Sequence, residues 1–177
     1  MARLATVDPA SATGRAKEIF EGPLKGKHFN IFKAIANSPA ALDFYLAMGG
    51  AAAKFSLSPA EQEAVQLTVG EANGCAYCAA AHTAIGKGAG LSEEQTIEAR
   101  RGHITGDAKL GALTKFASAI HEKRGNVSDD DVSTFKAGGY DDGAVAEVVA
   151  IYAFATFTNY FNHVNDTPVD FPAAPAL

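Results

Sequence analysis

Tryptophan is absent from the 177 residues, cysteine and methionine occur twice each, and no segment approaches the ~18 uninterrupted apolar residues of a membrane-spanning helix. The most apolar stretch, Val148 to Ala155, gives way to Thr156, Thr158 and Asn159, as in a buried helix, so no membrane partner is expected. A basic stripe is also missing. Fifteen Lys and Arg are scattered among 20 Asp and Glu for a net charge of −5, which leaves no electrostatic footprint for nucleic acid. At the N-terminus Asp8 and Pro9 arrive before an apolar signal core can form, and the expected location is therefore cytoplasmic. In that reducing compartment a close cysteine pair is more often catalytic or metal-binding than structural. Finally, no stretch alternates with a period of two between hairpin turns, which excludes a β fold and predicts an all-α domain of about seven or eight helices.

The chain is long enough for one domain, 1–177, with an N-terminal arm (1–28) and an extended tail (167–177). Within the arm, Ala10 to Phe20 is read as helical, stopped by Gly22 and Pro23. A short helix from Phe29 to Ala36 ends at Asn37-Ser38-Pro39, where Ser38 is the N-cap of a helix running towards Lys54. Ser58-Pro59-Ala60-Glu61 combines a capping box with proline in the first turn and is the clearest helix start in the chain. Asn73-Gly74 breaks that helix, and a new segment runs to Gly86–Gly90. Ser92 with Gln95 starts another that reaches Arg101. Asp107 to Arg124, a helix capped by Ser128 with Asp131, and a long helix opened by Asp141-Asp142 complete the pattern.

Both cysteines lie in Glu71-Ala-Asn-Gly-Cys75-Ala-Tyr-Cys78-Ala-Ala-Ala-His82, the only stretch dense in reactive side chains. On a helix Cys75, Cys78 and His82 fall within roughly 60° of one another, so two thiols and a base share a face. Glu71 is the nearest carboxylate. The break at Asn73-Gly74 separates it from the cysteines, however, and Glu63 shares its helix face with Leu67 and Gly70, a face suited to packing. A cysteine is nucleophilic only as thiolate, and its unperturbed pKa of about 8.5 calls for help from a base, a helix N-terminus or an orienting carboxylate. Proximity to His82 favours Cys78 as the attacking sulfur, while the helix dipole favours Cys75, and spacing does not choose between them. Two other readings compete: inert buried cysteines beside a core histidine, and a zinc site made of Cys75, Cys78, His82 and Glu63.

The pattern Glu63-x11-Cys75-x2-Cys78-x3-His82, set in Leu57-Ser-Pro-Ala-Glu-Gln-Glu-Ala-Val-Gln-Leu-Thr-Val and Asn73-Gly74, resembles the AhpD-like alkylhydroperoxidase branch of the carboxymuconolactone decarboxylase family. The close likeness covers 57–90, with a looser one through Asn159-Tyr-Phe-Asn-His-Val-Asn-Asp-Thr. The resemblance implies an all-helical fold, homo-oligomers as trimers or hexamers, and hydroperoxide reduction. It implies Cys78 as the peroxidatic cysteine, Cys75 as the resolving one that closes a Cys75–Cys78 disulfide, and Glu63 with His82 as a proton relay. It further implies a thiol reductant or a peroxiredoxin-type partner, and no cofactor or metal. In some relatives a second histidine sits between the cysteines, where this chain has Tyr77.

Elsewhere, His28, His103 and His121 are read as surface residues and His163 as a complement to a helix C-terminus. Asp129-Asp130-Asp131 is read as a helix-cap charge run rather than a metal site. The aromatics between Tyr152 and Phe161 belong to core or subunit interface.

Overall fold

A computed structural model describes residues 2–177 and contains, among them, nine helices and no strand. They are α1 (Gly14–Glu21), α2 (Asn30–Ile35), α3 (Pro39–Ala52), α4 (Pro59–Ala72), α5 (Ala76–Gly88), α6 (Glu93–Arg100), α7 (Ala108–Glu122), α8 (Asp129–Ala137) and α9 (Asp142–Asn165). The count is slightly above the expected seven or eight, and the short α2, only 6 residues, lies within the expected Phe29–Ala36 segment and is held by packing rather than by intrinsic propensity. Ile31, Phe32, Ala34 and Ile35 of α2 are all buried. The first helix begins at Gly14 rather than Ala10. Asp8 Oδ1 accepts from the Ala10 N–H at 3.0 Å, and this local turn competes with helix formation.

Helix α4 occupies the centre, packed against α5, α6, α7 and α9. Residues 64–70 are buried without interruption, as in a helix enclosed on every side. One apolar cluster lies on its α6–α9 side, where Phe135 is stacked between Phe116 and Tyr140 with ring centroids 4.4 and 4.5 Å away. A second cluster joins Ile19, Phe20 and Leu24 to α2, α3 and both cysteines. The arm is therefore part of the packing around α5. Helix α9 alone among the described helices has the length and hydropathy of a membrane span. Its buried side carries Asn159, Asn162 and Asn165 and packs on α3, α4, α5 and α7, while Val149, Tyr160 and Val164 on its other side are exposed.

The N-terminus of α4 is secured by the expected capping box, whose carboxylate has further partners. Glu61 also accepts from Tyr140 Oη and pairs with Lys109, both at 2.9 Å. Burial pushes its pKa up, but hydrogen bonds from Lys109, Ser58 and Tyr140 outweigh this and hold it down at about 2. A depressed carboxylate contributes stability that is fully present above the unfolded-state pKa near 4.5 and is lost as pH falls through about 2. Glu61→Gln is expected to cost about 2 kcal/mol at pH 7, allowing for the solvent-screened lysine, and to cost little near pH 2. Urea unfolding across that range checks this: an equal cost at both ends of the range would contradict the assignment.

Candidate active site

A Schellman turn places Cys75. Asn73 ends α4, Gly74 follows with φ of 68°, and the N–H groups of Gly74 and Cys75 bond back to Glu71 and Gly70 carbonyls at 2.8 Å. Cys75 thereby becomes the N-cap of α5, its Sγ accepting from the Cys78 N–H at 3.2 Å. The two cysteines, with Cα atoms 5.2 Å apart, are joined in a disulfide.

Small residues let α4 and α5 approach closely. A Cβ on Gly70 would lie 3.4 Å from Cys78 Cβ, and one on Gly86 would lie 3.5 Å from Glu63 Cβ. The Glu63, Leu67 and Gly70 face of α4 thus meets the Cys78, His82 and Gly86 face of α5. At the junction His82 Nδ1 lies 2.7 Å from Glu63 Oε2, both side chains being about five-sixths buried (16% and 15% exposed). With Nδ1–H donating to the carboxylate, Nε2 is the ring's free acceptor. Glu71 is elsewhere, paired with Arg100 at 2.8 Å. The carboxylate one helix away is therefore the one that reaches the histidine.

Glu63, Gln66, Cys78 and His82 line one cavity of about 430 Å³, walled by aromatic side chains including Phe32, Tyr45 and Phe154. Burial and the Glu63 carboxylate push the Tyr45 phenol up to about 12, so it faces the cavity as a neutral O–H. Cys75 does not line this cavity; it lines a second one of about 490 Å³ beneath the C-terminal tail. The two cysteines of the disulfide thus line different cavities.

Two polar residues of the site escape the motif. Asn162 of α9 is buried and its Nδ2 donates to Cys78 Sγ at 3.4 Å, with Cys75 Sγ at 4.0 Å. The loose likeness through Asn159 to Thr167 is the signal that marks this segment. Gln66, 8% exposed, has a buried Oε1 without a hydrogen-bond partner among the described residues, and nothing in its sequence context announces it.

Tyr77 does not extend the Glu63–His82 pair. Its hydroxyl donates to Asp170 Oδ1 in the tail at 2.7 Å, and burial followed by that carboxylate pushes the phenol well above its ordinary range. Of the histidines read as surface residues, His103 is exposed, whereas His121 is half-buried with Nδ1 3.0 Å from Tyr152 Oη. His28 is exposed as expected, with its ring edge-on against Phe20 and Nε2 3.3 Å from the Phe20 carbonyl. His163 lies in the last turn of α9 and also reaches the Gly74 carbonyl at 3.3 Å, bracing the turn before Cys75. Asp131 completes the capping box of α8. Among the described residues no three His, Cys, Asp or Glu side chains form a metal-ligating group; the four atoms of the zinc reading are instead committed to a disulfide and a His–Glu pair.

Residues 39–120 match the model of the carboxymuconolactone decarboxylase family. No curated protein matches the chain in sequence. Among solved structures, the chain is similar to an alkylhydroperoxidase AhpD-core, peroxidase-related protein from Ralstonia eutropha, with 19% identity, a TM-score of 0.83, and coverage of 96% of this chain and 92% of that one. A peroxidase-related protein from Silicibacter sp. gives 20% identity, a TM-score of 0.78, and 95% and 94% coverage. The debrominase Bmp8, solved as a cysteine-to-alanine variant with 2,3,4-tribromopyrrole, gives 16%, 0.79, and 96% and 92%. At these identities the likeness establishes the fold, and one fold serves more than one chemistry.

Proposed function

We propose that this chain, whose residues 39–120 carry the carboxymuconolactone decarboxylase family segment within an AhpD-like fold, is a cysteine-based peroxidase that reduces organic hydroperoxides. The observation that carries the reading is the convergence of Cys78, His82 and Glu63 on one largely apolar cavity.

In the reduced protein, His82 Nε2 takes the Cys78 thiol proton while Glu63 stabilises the resulting imidazolium. The Asn162 N–H and the first turn of α5 favour the thiolate. The thiolate attacks the terminal oxygen of R–O–O–H; an S–O bond forms, the O–O bond breaks, and the alkoxide leaves with the proton returned by His82. Cys75 then displaces hydroxide from the Cys78 sulfenic acid, giving water, an alcohol and the disulfide. Two thiols are oxidised per peroxide reduced, and an external thiol restores them. The reading places the protein in a reducing cytoplasm. It also includes homo-oligomers, supported by the exposed apolar side chains Phe44, Val149, Tyr160 and Val164.

The test is a titration of reduced, chelator-free protein with cumene hydroperoxide. Consumption of both thiols by one equivalent of peroxide, with an intramolecular disulfide by mass spectrometry, is the expected result. Near-stoichiometric zinc bound through both cysteines, or thiols that react only after unfolding, would overturn the reading.

A further inference from the structure

The two cysteines of the disulfide line different cavities, and only one of these is needed for the peroxide. Cys78 shares its cavity with His82 and Glu63, whereas Cys75 lies at the floor of the second, beside Arg100 and Glu71. Neither sulfur is accessible as the protein stands: Cys75 is 1% exposed and Cys78 2%. Something must move before an external thiol can reach either one.

Among the described residues, the cover over Cys75 is held without backbone pairing. It consists of the tail, with Val169, Phe171, Ala173 and Ala174 lining the second cavity. Among the described residues, 168–177 make no backbone–backbone hydrogen bond and contain no helix. The segment is held by a few side-chain contacts. Asp170 accepts from Tyr77 Oη at 2.7 Å and from the Asn30 N–H at 2.6 Å, and Arg100 donates to the Pro175 carbonyl. Phe171 packs on Phe29 and Tyr77, with ring centroids 4.6 and 5.7 Å away. Segments held this way open at low cost. The cover over Cys78 is built largely from the helix-borne aromatics Phe32, Tyr45, Tyr77 and Phe154, with Phe171 as the tail's one contribution.

We propose that the second cavity is the entry port for the thiol that re-reduces the Cys75–Cys78 disulfide, and that residues 168–177 form a strap that lifts to admit it. The port serves the proposed peroxidase cycle and rests on that reading for its purpose. A thiolate entering there attacks Cys75 Sγ from the side away from Cys78. The new S–S bond forms to Cys75, the old one breaks, and Cys78 leaves as thiolate into the cavity that holds His82, with the Asn162 N–H beside it. A second thiol of the reductant attacks the mixed disulfide, carries away the oxidised reductant and releases Cys75, which takes up a proton. The sulfur regenerated first is thus the one that meets the next peroxide.

The experiment follows reduction of the oxidised full-length protein in the absence of peroxide. Reaction with 2-mercaptoethanol, quenched in acid and mapped by tandem mass spectrometry, is expected to place the mixed disulfide on Cys75, a result that needs no variant. Asp170→Asn and Arg100→Gln, each releasing one end of the strap, are expected to accelerate reduction by dithiothreitol about tenfold. In both, peroxide oxidation of the pre-reduced protein is expected to stay within about twofold of the parent. A mixed disulfide on Cys78, or unchanged reduction rates in both variants, would overturn the proposal. Because reduction is read without peroxide, a protein that ignores hydroperoxides but shows strap-dependent reduction at Cys75 removes the peroxidase reading and keeps the port.

Discussion

Cys78→Ser is expected to lower the rate of hydroperoxide consumption by at least about 10³-fold, because serine cannot form a comparable nucleophile at neutral pH and Cys75 faces a different cavity. Cys75→Ser should behave differently. Its Cys78 still shares the cavity with His82 and Glu63, so the first equivalent of peroxide reacts at close to the parental rate and stops at a sulfenic acid. A dimedone adduct on Cys78 in Cys75→Ser, and no adduct in Cys78→Ser, distinguishes the two thiols. Comparable adduct formation on both would sink the role assignment. The contrast is large because the two cysteines are not alternative nucleophiles in one pocket. The turn at Gly74 makes one the cap of α5, lining the cavity beneath the tail, and the other lies one turn into the helix, opposite Gly70.

Local signals account for most of what could be read before the structure. Capping boxes at Ser58, Ser92 and Ser128 are all formed, since each is a contact between residues three apart whose chemistry is complete within one turn. Asn73-Gly74 was legible for the same reason: glycine at the left-handed position of a Schellman motif is a local requirement. The choice of Glu63 over Glu71 was also available. It rested on the helix break at Asn73-Gly74, which is a property of a short stretch, and on the Glu63-to-Cys75 spacing of the family that the segment resembles. What could not be read depended on tertiary partners. Asn162 reaches Cys78 across 84 residues, and an asparagine near the end of a long apolar helix has no local feature that reveals a sulfur as its partner. Tyr77 sits between the cysteines where some relatives have histidine, and its partner is Asp170, 93 residues on. Gln66 lies on the wholly buried stretch of α4, where periodicity is silent because every face is covered.

Glu63→Gln is the second large effect, expected at roughly 10²- to 10³-fold in the single-turnover rate of peroxide with the reduced protein. The substitution preserves shape, so the loss reports on charge and tautomer. The carboxylate accepts only, and at 2.7 Å it holds the imidazole proton on Nδ1, leaving Nε2 free to take the thiol proton. A glutamine amide can donate to Nδ1 instead. The ring proton then moves to Nε2, the wrong nitrogen for a base, and the imidazolium formed on deprotonating Cys78 loses its counter-charge in a site where both side chains are about five-sixths buried. Glu63→Asp keeps the charge but shortens the reach, and part of the activity is expected to survive. Thermal unfolding should separate chemistry from folding: Glu63→Gln is expected to melt close to the parent, because the residue lies at a cavity wall and Gln fills the same volume. A rate within about threefold of the parent would remove Glu63 from the relay and leave His82 to act with Asn162 alone.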